Sequence, residues 1–247
     1  MRTFSRGVRV LAVLIVVIMV MSAVPVFITG KPLAQNASAG AAVATEVKIG
    51  WPMMDFAFWN PFGIEMMEDW VSCFMIYSAL FTYSEDVVGP IPDLATGYYQ
   101  VTNPDGSIIT TINLTHNAYF RNKADPTSTA HRLTANDVAF TFQTIKSHSG
   151  GAWDSYVADI TQINVINDYQ FTLRTEFTKA TLMDDVAGIP IVPEYVWSQV
   201  PSNKILSPIN PSDTIGSGPF YFDSMGKNSW WRFVRAPNYH GAPTSLE

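Results

Sequence analysis

The sequence predicts a mixed α/β chain, and three observations carry that reading. Segments rich in β-branched and aromatic residues pair around turn sequences, as in 98–102 and 107–114 around Asn103-Pro104-Asp105-Gly106. Stretches with helical punctuation lie between such pairs, the clearest being "LTANDVAFTFQTIK" at 133–146. Strand and helix signals are therefore interspersed, with no internal repeat, which argues for mixed layers and not for a bundle or a sandwich.

Taken in order, Arg2, Arg6 and Arg9 precede an apolar run over residues 10–28 broken only by Ser22 and Pro25. A basic region followed by a long apolar one marks residues 1–30 as a signal peptide or an N-terminal membrane anchor, with everything after it exported. Residues 31–44 are small and polar, the composition of a flexible linker. The folded part then spans 45–247. Residues 45–50 form a short strand, and "WPMMDFAFWNPFG" after them is an aromatic loop. Residues 68–81, apolar almost throughout with acids at the start, are expected to be a buried helix. "EDVVGPIPDLATGY" is turn-rich and expected on the surface.

The Pro and Gly of the 103–106 turn supply a preset φ and a positive φ, so its flanks form a hairpin. Ile163, Val165, Phe171 and Leu173 alternate on either side of Asn167-Asp168 and form a second. A third lies around Gly226-Lys227-Asn228, with Trp230 and Trp231 adjacent in one strand so that at most one faces the core. Between the first two, Thr134 caps a helix over 135–146. Asp137 sits three residues on, Leu133 and Val138 are at staple spacing, and Val138, Phe142 and Ile145 line one face. Shorter helices are expected at 179–186 and 194–199.

Composition excludes several functions. Residues 1–44 hold four basic residues and no acids, leaving eleven basic against 21 acidic in the rest. Such a domain repels nucleic acid. The single cysteine, Cys73, lies in an apolar stretch and follows no signal, so disulfide, metal cluster and lipid attachment at a post-signal cysteine are all excluded from the reading. The four histidines are scattered, with no metal-ligand spacing and no obvious Ser or carboxylate neighbour, and Gly216-Ser217-Gly218 is too short to cradle a phosphate. No catalytic residue, cofactor or metal is expected. Asn36-Ala37-Ser38 and Asn113-Leu114-Thr115 fit the glycosylation sequon.

Four stretches in order resemble the extracellular solute-binding proteins of family 5, the binding components of oligopeptide, dipeptide and nickel ABC transporters. Asn60, Pro61, Tyr77, Leu80, Pro92, Leu94 and Ala95 carry the first. "LTANDVAFTFQTIK" is similar to the family's "L-T-A-E-D-V-x-F-T" helix. "DYQFTLRTEF" with "IVPEYVW" is the third, and "GSGPFYFDSM" with "RAPNYHGAP" the fourth. The segment 118–131 departs from the family's compact "W-x-D-G-x-P" by a longer loop. The resemblance implies a type II periplasmic-binding-protein fold, of which this chain carries the first lobe, a mixed sheet plus a smaller β-rich subdomain inserted at 78–187. The second lobe is missing, so the chain reads as truncated.

By the same resemblance, the stretch after Asn60-Pro61 reaches the ligand, which places Glu65, Met66 and Met67 there; paired thioethers suit varied ligand side chains. Trp153, with Tyr156 in the "S-Y" after it, is expected on a cleft-facing loop, and Trp59 is a third candidate able to clamp a sugar or an apolar side chain. The implied function is the extracytoplasmic, non-enzymatic capture of a peptide or oligosaccharide for a membrane permease, by a monomer. A secreted hydrolase or adhesion module, and a truncated fragment without function, stay open beside it.

Overall fold

The computed structural model describes residues 59–84, 87–226 and 229–241, all within one unit, 44–247. The expected leader at 1–30, linker at 31–44 and strand at 45–50 lie outside the described residues. No helix among the described residues is long and apolar enough to cross a membrane.

The first helix, α1 (Met67–Ile76), begins where Asp69 accepts the Met66 backbone N–H at 3.3 Å, and acids in its first turn suit the positive helix end. It is shorter than the 68–81 expected. From Ile76 onward the carbonyls serve other segments: Ile76 accepts from the Gly218 N–H at 2.8 Å and Ser78 from the Ile191 N–H at 2.9 Å. Tyr77 is already extended, and the chain continues into β1 (Phe81–Ser84). Nor is the helix buried all round. Cys73 and Ile76 face the core while Phe74 is 43% exposed.

The segment read as turn-rich surface is mostly strand. β2 (Val87–Pro92) pairs antiparallel with β1, and β3 (Ala95–Thr102) follows. Its prolines are tolerated because β1 and β2 form a sheet of two strands, both of them edges. β3 and β4 (Ile108–Leu114) form the expected hairpin. Gly106 takes φ +86° and donates to the Asn103 carbonyl, and the Asp105 carboxylate accepts the Ser107 N–H. After β5 (Tyr119–Phe120) and β6 (His131–Arg132) come α2 (Ala135–Ser147), the short α3 (Asp154–Val157), β7 (Ile160–Asn167) and β8 (Gln170–Thr175). The central sheet is antiparallel in the order β3-β4-β8-β7.

Register decides which face of that sheet is core. Ile112 lies opposite Tyr98 and Phe171, and Thr110 opposite Leu173. Ile112, Phe171 and Leu173 are fully buried, as are Val138 and Phe142 of α2, which packs against β7 and β8. The opposite face carries Gly97, Asn113, Gln170 and Thr111. The start of α2 is as the sequence specifies: Asp137 Oδ2 accepts from the Thr134 N–H at 2.8 Å and the Thr134 hydroxyl at 3.1 Å, and Leu133 and Val138 are both buried.

Two further short helices, α4 (Leu182–Ala187) and α5 (Glu194–Trp197), precede the hairpin of β9 (Phe220–Gly226) and β10 (Trp230–Arg235). Gly216-Ser217-Gly218 has a structural task. A Cβ on Gly216 would sit 2.1 Å from the Ile76 carbonyl oxygen, so only glycine lets these two backbones meet. Gly216→Ala is expected to cost about 2 kcal/mol of stability, read from urea denaturation, because backbone must move to admit the methyl. A variant as stable as the parent would disprove this close approach.

Candidate ligand-facing surface

The residues proposed from sequence separate into an exposed set and a buried set. Glu65, Met66 and Met67 stand at the entrance of α1 with their side chains exposed, Met67 to 54%. Helical spacing extends this stripe along α1 to Trp70 and Phe74. The rings of Trp70 and Phe74 lie 5.7 Å apart, and Trp70 meets Trp153 edge-on at 4.7 Å. Trp153 in turn meets Tyr156 at 5.6 Å. Tyr156 is partly exposed, so the row of rings leaves the core and re-emerges on the surface one helix away, on α3.

Trp153 and Trp59 are where the structure differs from the expectation. Trp153 was expected on an open loop. It is the residue before α3, 3% exposed, and its indole N–H donates to the Pro61 carbonyl at 2.7 Å. A buried indole with its one donor satisfied is a support for the surface and not part of it. Trp59, also expected to face ligand, is 2% exposed and packs against Phe222, Trp231 and Phe233. Its φ of +47° is uncommon for a bulky residue, and the ring cage around it holds that conformation. Asn60 anchors the same loop, its side-chain amide donating at 2.7 Å to the carbonyls of Ile205 and Ser207. The Asn-Pro loop is therefore fixed on both sides, and it sets the position from which Glu65, Met66 and Met67 project.

Trp70 and Phe74 were missed. The signal was present, since Met67, Trp70 and Phe74 recur at i, i+3, i+7, but a helix apolar on all sides hid which flank was open.

Two titratable groups beside this surface are shifted by burial. Burial, with Asp69 nearby, pushes the Cys73 thiol far up, so it is an inert apolar filler. Burial also raises the Tyr77 phenol. Among the described residues no group of three or more His, Cys, Asp or Glu could hold a metal ion. The histidines do have neighbours that the sequence did not suggest. His148 Nε2 contacts Ser202 Oγ at 2.8 Å, with Nδ1 on the Thr144 carbonyl one turn back in α2, and His240 contacts Asp93 at 2.8 Å.

No curated protein matches the chain. Solved structures share its fold. NikZ from Campylobacter jejuni in complex with Ni(L-His) is 19% identical with a TM-score of 0.61, over 76% of this chain and 35% of that one. The oligopeptide-binding protein AppA from Bacillus subtilis in complex with a nonapeptide is 19% identical with a TM-score of 0.61, over 73% of this chain and 34% of that one. The mannohexaose-bound oligopeptide ABC transporter periplasmic oligopeptide-binding protein from Thermotoga maritima is 20% identical with a TM-score of 0.58, over 73% of this chain and 31% of that one. The chain thus spans about a third of the length of the structures it matches. The description "Bacterial extracellular solute-binding proteins, family 5 Middle" matches residues 89–247, and the chain belongs to that family.

Proposed function

We propose that this chain supplies one wall of the solute-binding cleft in the extracytoplasmic receptor of an ABC importer, handing a captured solute to a membrane permease. Family membership carries the reading. The geometry supports it through the apolar stripe of Met66, Met67, Trp70 and Phe74, continued by Tyr156 and held from below by Trp153. Exposed aromatic and thioether groups on a rigid support make a surface that accepts varied partners without reacting with them. A second lobe closing over it would exclude water. Residues 1–30 would direct export, residues 31–44 would tether the lobe, and the receptor would act as a monomer.

Peptide is the favoured solute. A peptide offers both apolar side chains for the thioethers and an ammonium group for Glu65, whereas an oligosaccharide would use only the ring faces. The test is direct titration of the full-length receptor containing this chain with a nonapeptide and with mannohexaose, followed by indole fluorescence. The peptide is expected to bind, and Met66→Ser with Met67→Ser to weaken it about tenfold, the loss for roughly 1.4 kcal/mol of contact. Binding of neither ligand, with hydrolysis of one, would overturn the receptor reading. Binding of mannohexaose alone would overturn only the choice of peptide.

A further inference from the structure

One sequence motif takes no part in the proposed cleft, and the fold sets it in an open place. Asn113-Leu114-Thr115 is a sequon at the end of β4. Asn113 and Thr115 both line an open depression of about 450 Å³ on the outer side of the central sheet, together with Thr96, His116, Asn167, Tyr169 and Gln170. The strand register explains the opening. Asn113 lies opposite Gly97 on β3 and Gln170 on β8, and a Cβ added to Gly97 would meet nothing within 4 Å.

The chemistry of the depression is that of a neutral polyhydroxylated group. Its lining sets amides, hydroxyls and the His116 imidazole beside apolar surface that includes Leu114, a mix that suits a sugar's hydroxyls and ring face, and it holds no carboxylate, lysine or arginine. The His116 ring stacks on Tyr169 at 4.0 Å, giving the rim a flat ring pair. Asn113 Oδ1 accepts from the Gln170 amide at 2.8 Å. That bond uses the oxygen and leaves the amide nitrogen, the atom a glycan would be joined to, directed away from Gln170. Thr115 donates its hydroxyl to Asn117 and is half-exposed, as is Asn113.

We infer that Asn113 is an acceptor for an asparagine-linked glycan, whose first sugar occupies this depression in the folded protein. The donor is an oligosaccharide on a lipid pyrophosphate. Asn113 Nδ2 attacks the anomeric carbon, forming the C–N bond as the C–O bond to pyrophosphate breaks. The lipid pyrophosphate leaves with the electron pair, and the amide gives up one proton. The step requires exposure to the extracytoplasmic side, where the family operates. β4 is a central strand, so transfer precedes pairing of β4, and the finished fold accommodates the product.

The test is secretion of the full chain from yeast, with an Asn-Gly-Thr tag at the C-terminus reporting transfer in the same molecules. Tag-modified protein is then mapped by peptide mass. Soluble, cooperatively melting protein is expected to carry an oligosaccharide on the peptide containing Asn113. Asn113→Gln and Thr115→Ala should each lose it, and Thr115→Ser should retain it; the Thr115 variants leave the Asn113–Gln170 bond in place. An unmodified Asn113 in protein whose tag is modified would overturn the assignment. So would a glycan found at Asn113 only in aggregated material, since the depression would then not admit it.

Discussion

Phe142→Ala is expected to lower the unfolding free energy by about 3–5 kcal/mol, the range for deleting a large buried ring. Phe142 is fully buried on α2 (Ala135–Ser147), the helix that packs against β7 and β8, and it belongs to the same core cluster as Phe171 and Leu173 of the sheet. Removing the ring forfeits its burial and leaves a hole that rigid sheet on one side and helix on the other cannot close. Phe142→Leu keeps most of the volume and should cost roughly 1.5 kcal/mol or less. Urea denaturation of both variants checks the ordering. An alanine variant losing less than the leucine variant would mean that α2 is not the keystone of this core.

The same helix shows why some of the fold was legible. Its start is written in adjacent residues: Leu133, Thr134, Asp137 and Val138 act within one turn, and Phe142 and Ile145 follow at helical spacing. The hairpins around Gly106 and Asn167-Asp168 were legible for the same reason, since turn chemistry is local. The helix end at Ile76 was not. What stops α1 is the arrival of Gly218 and Ile191 at the carbonyls of Ile76 and Ser78, contacts made across more than a hundred residues of chain. The strand at Val87–Pro92 was hidden likewise, because its prolines signal turn until the two-stranded pairing with β1 is known.

The candidate surface divides along the same line. The exposure of Glu65, Met66 and Met67 follows from their place at a helix entrance beside a fixed loop. The fate of the tryptophans depends on what stands opposite them. Trp59 is enclosed by Phe222, Trp231 and Phe233, which belong to a hairpin more than 160 residues away in sequence, and Trp153 by the Pro61 carbonyl and Trp70. An aromatic residue on a Gly-rich or Pro-rich stretch is equally a binding ring or a plug, and only its partners decide. Here the plugs matter to the surface, since they hold the Asn-Pro loop and α1 in the relation that leaves Phe74 and the methionines uncovered.

Asp137→Ala is expected to cost about 3 kcal/mol, because one carboxylate serves two helices. Oδ2 takes the Thr134 N–H and hydroxyl at the start of α2, while Oδ1 accepts the Glu194 N–H at 2.9 Å at the start of α5 (Glu194–Trp197). Removing it orphans three partly buried donors at two helix ends, at about 1 kcal/mol for each lost hydrogen bond. Its burial also fixes a pH dependence. Burial raises the Asp137 pKa above the ordinary carboxylate value, against the opposing pull of the Glu194 and Thr134 hydrogen bonds. The native state then holds its proton to higher pH than the unfolded chain does. This contribution is therefore complete below the unfolded value of 3.8 and is lost as pH rises through the raised folded value. Asp137→Asn cannot titrate and lacks that term. Urea melts of parent and Asn variant across the acid range should show the parent's advantage largest at the acid end and shrinking as pH rises. An advantage that instead grows with pH would mean that the hydrogen bonds to Thr134 and Glu194 outweigh burial, and that the ionised carboxylate is the form this junction of helices prefers.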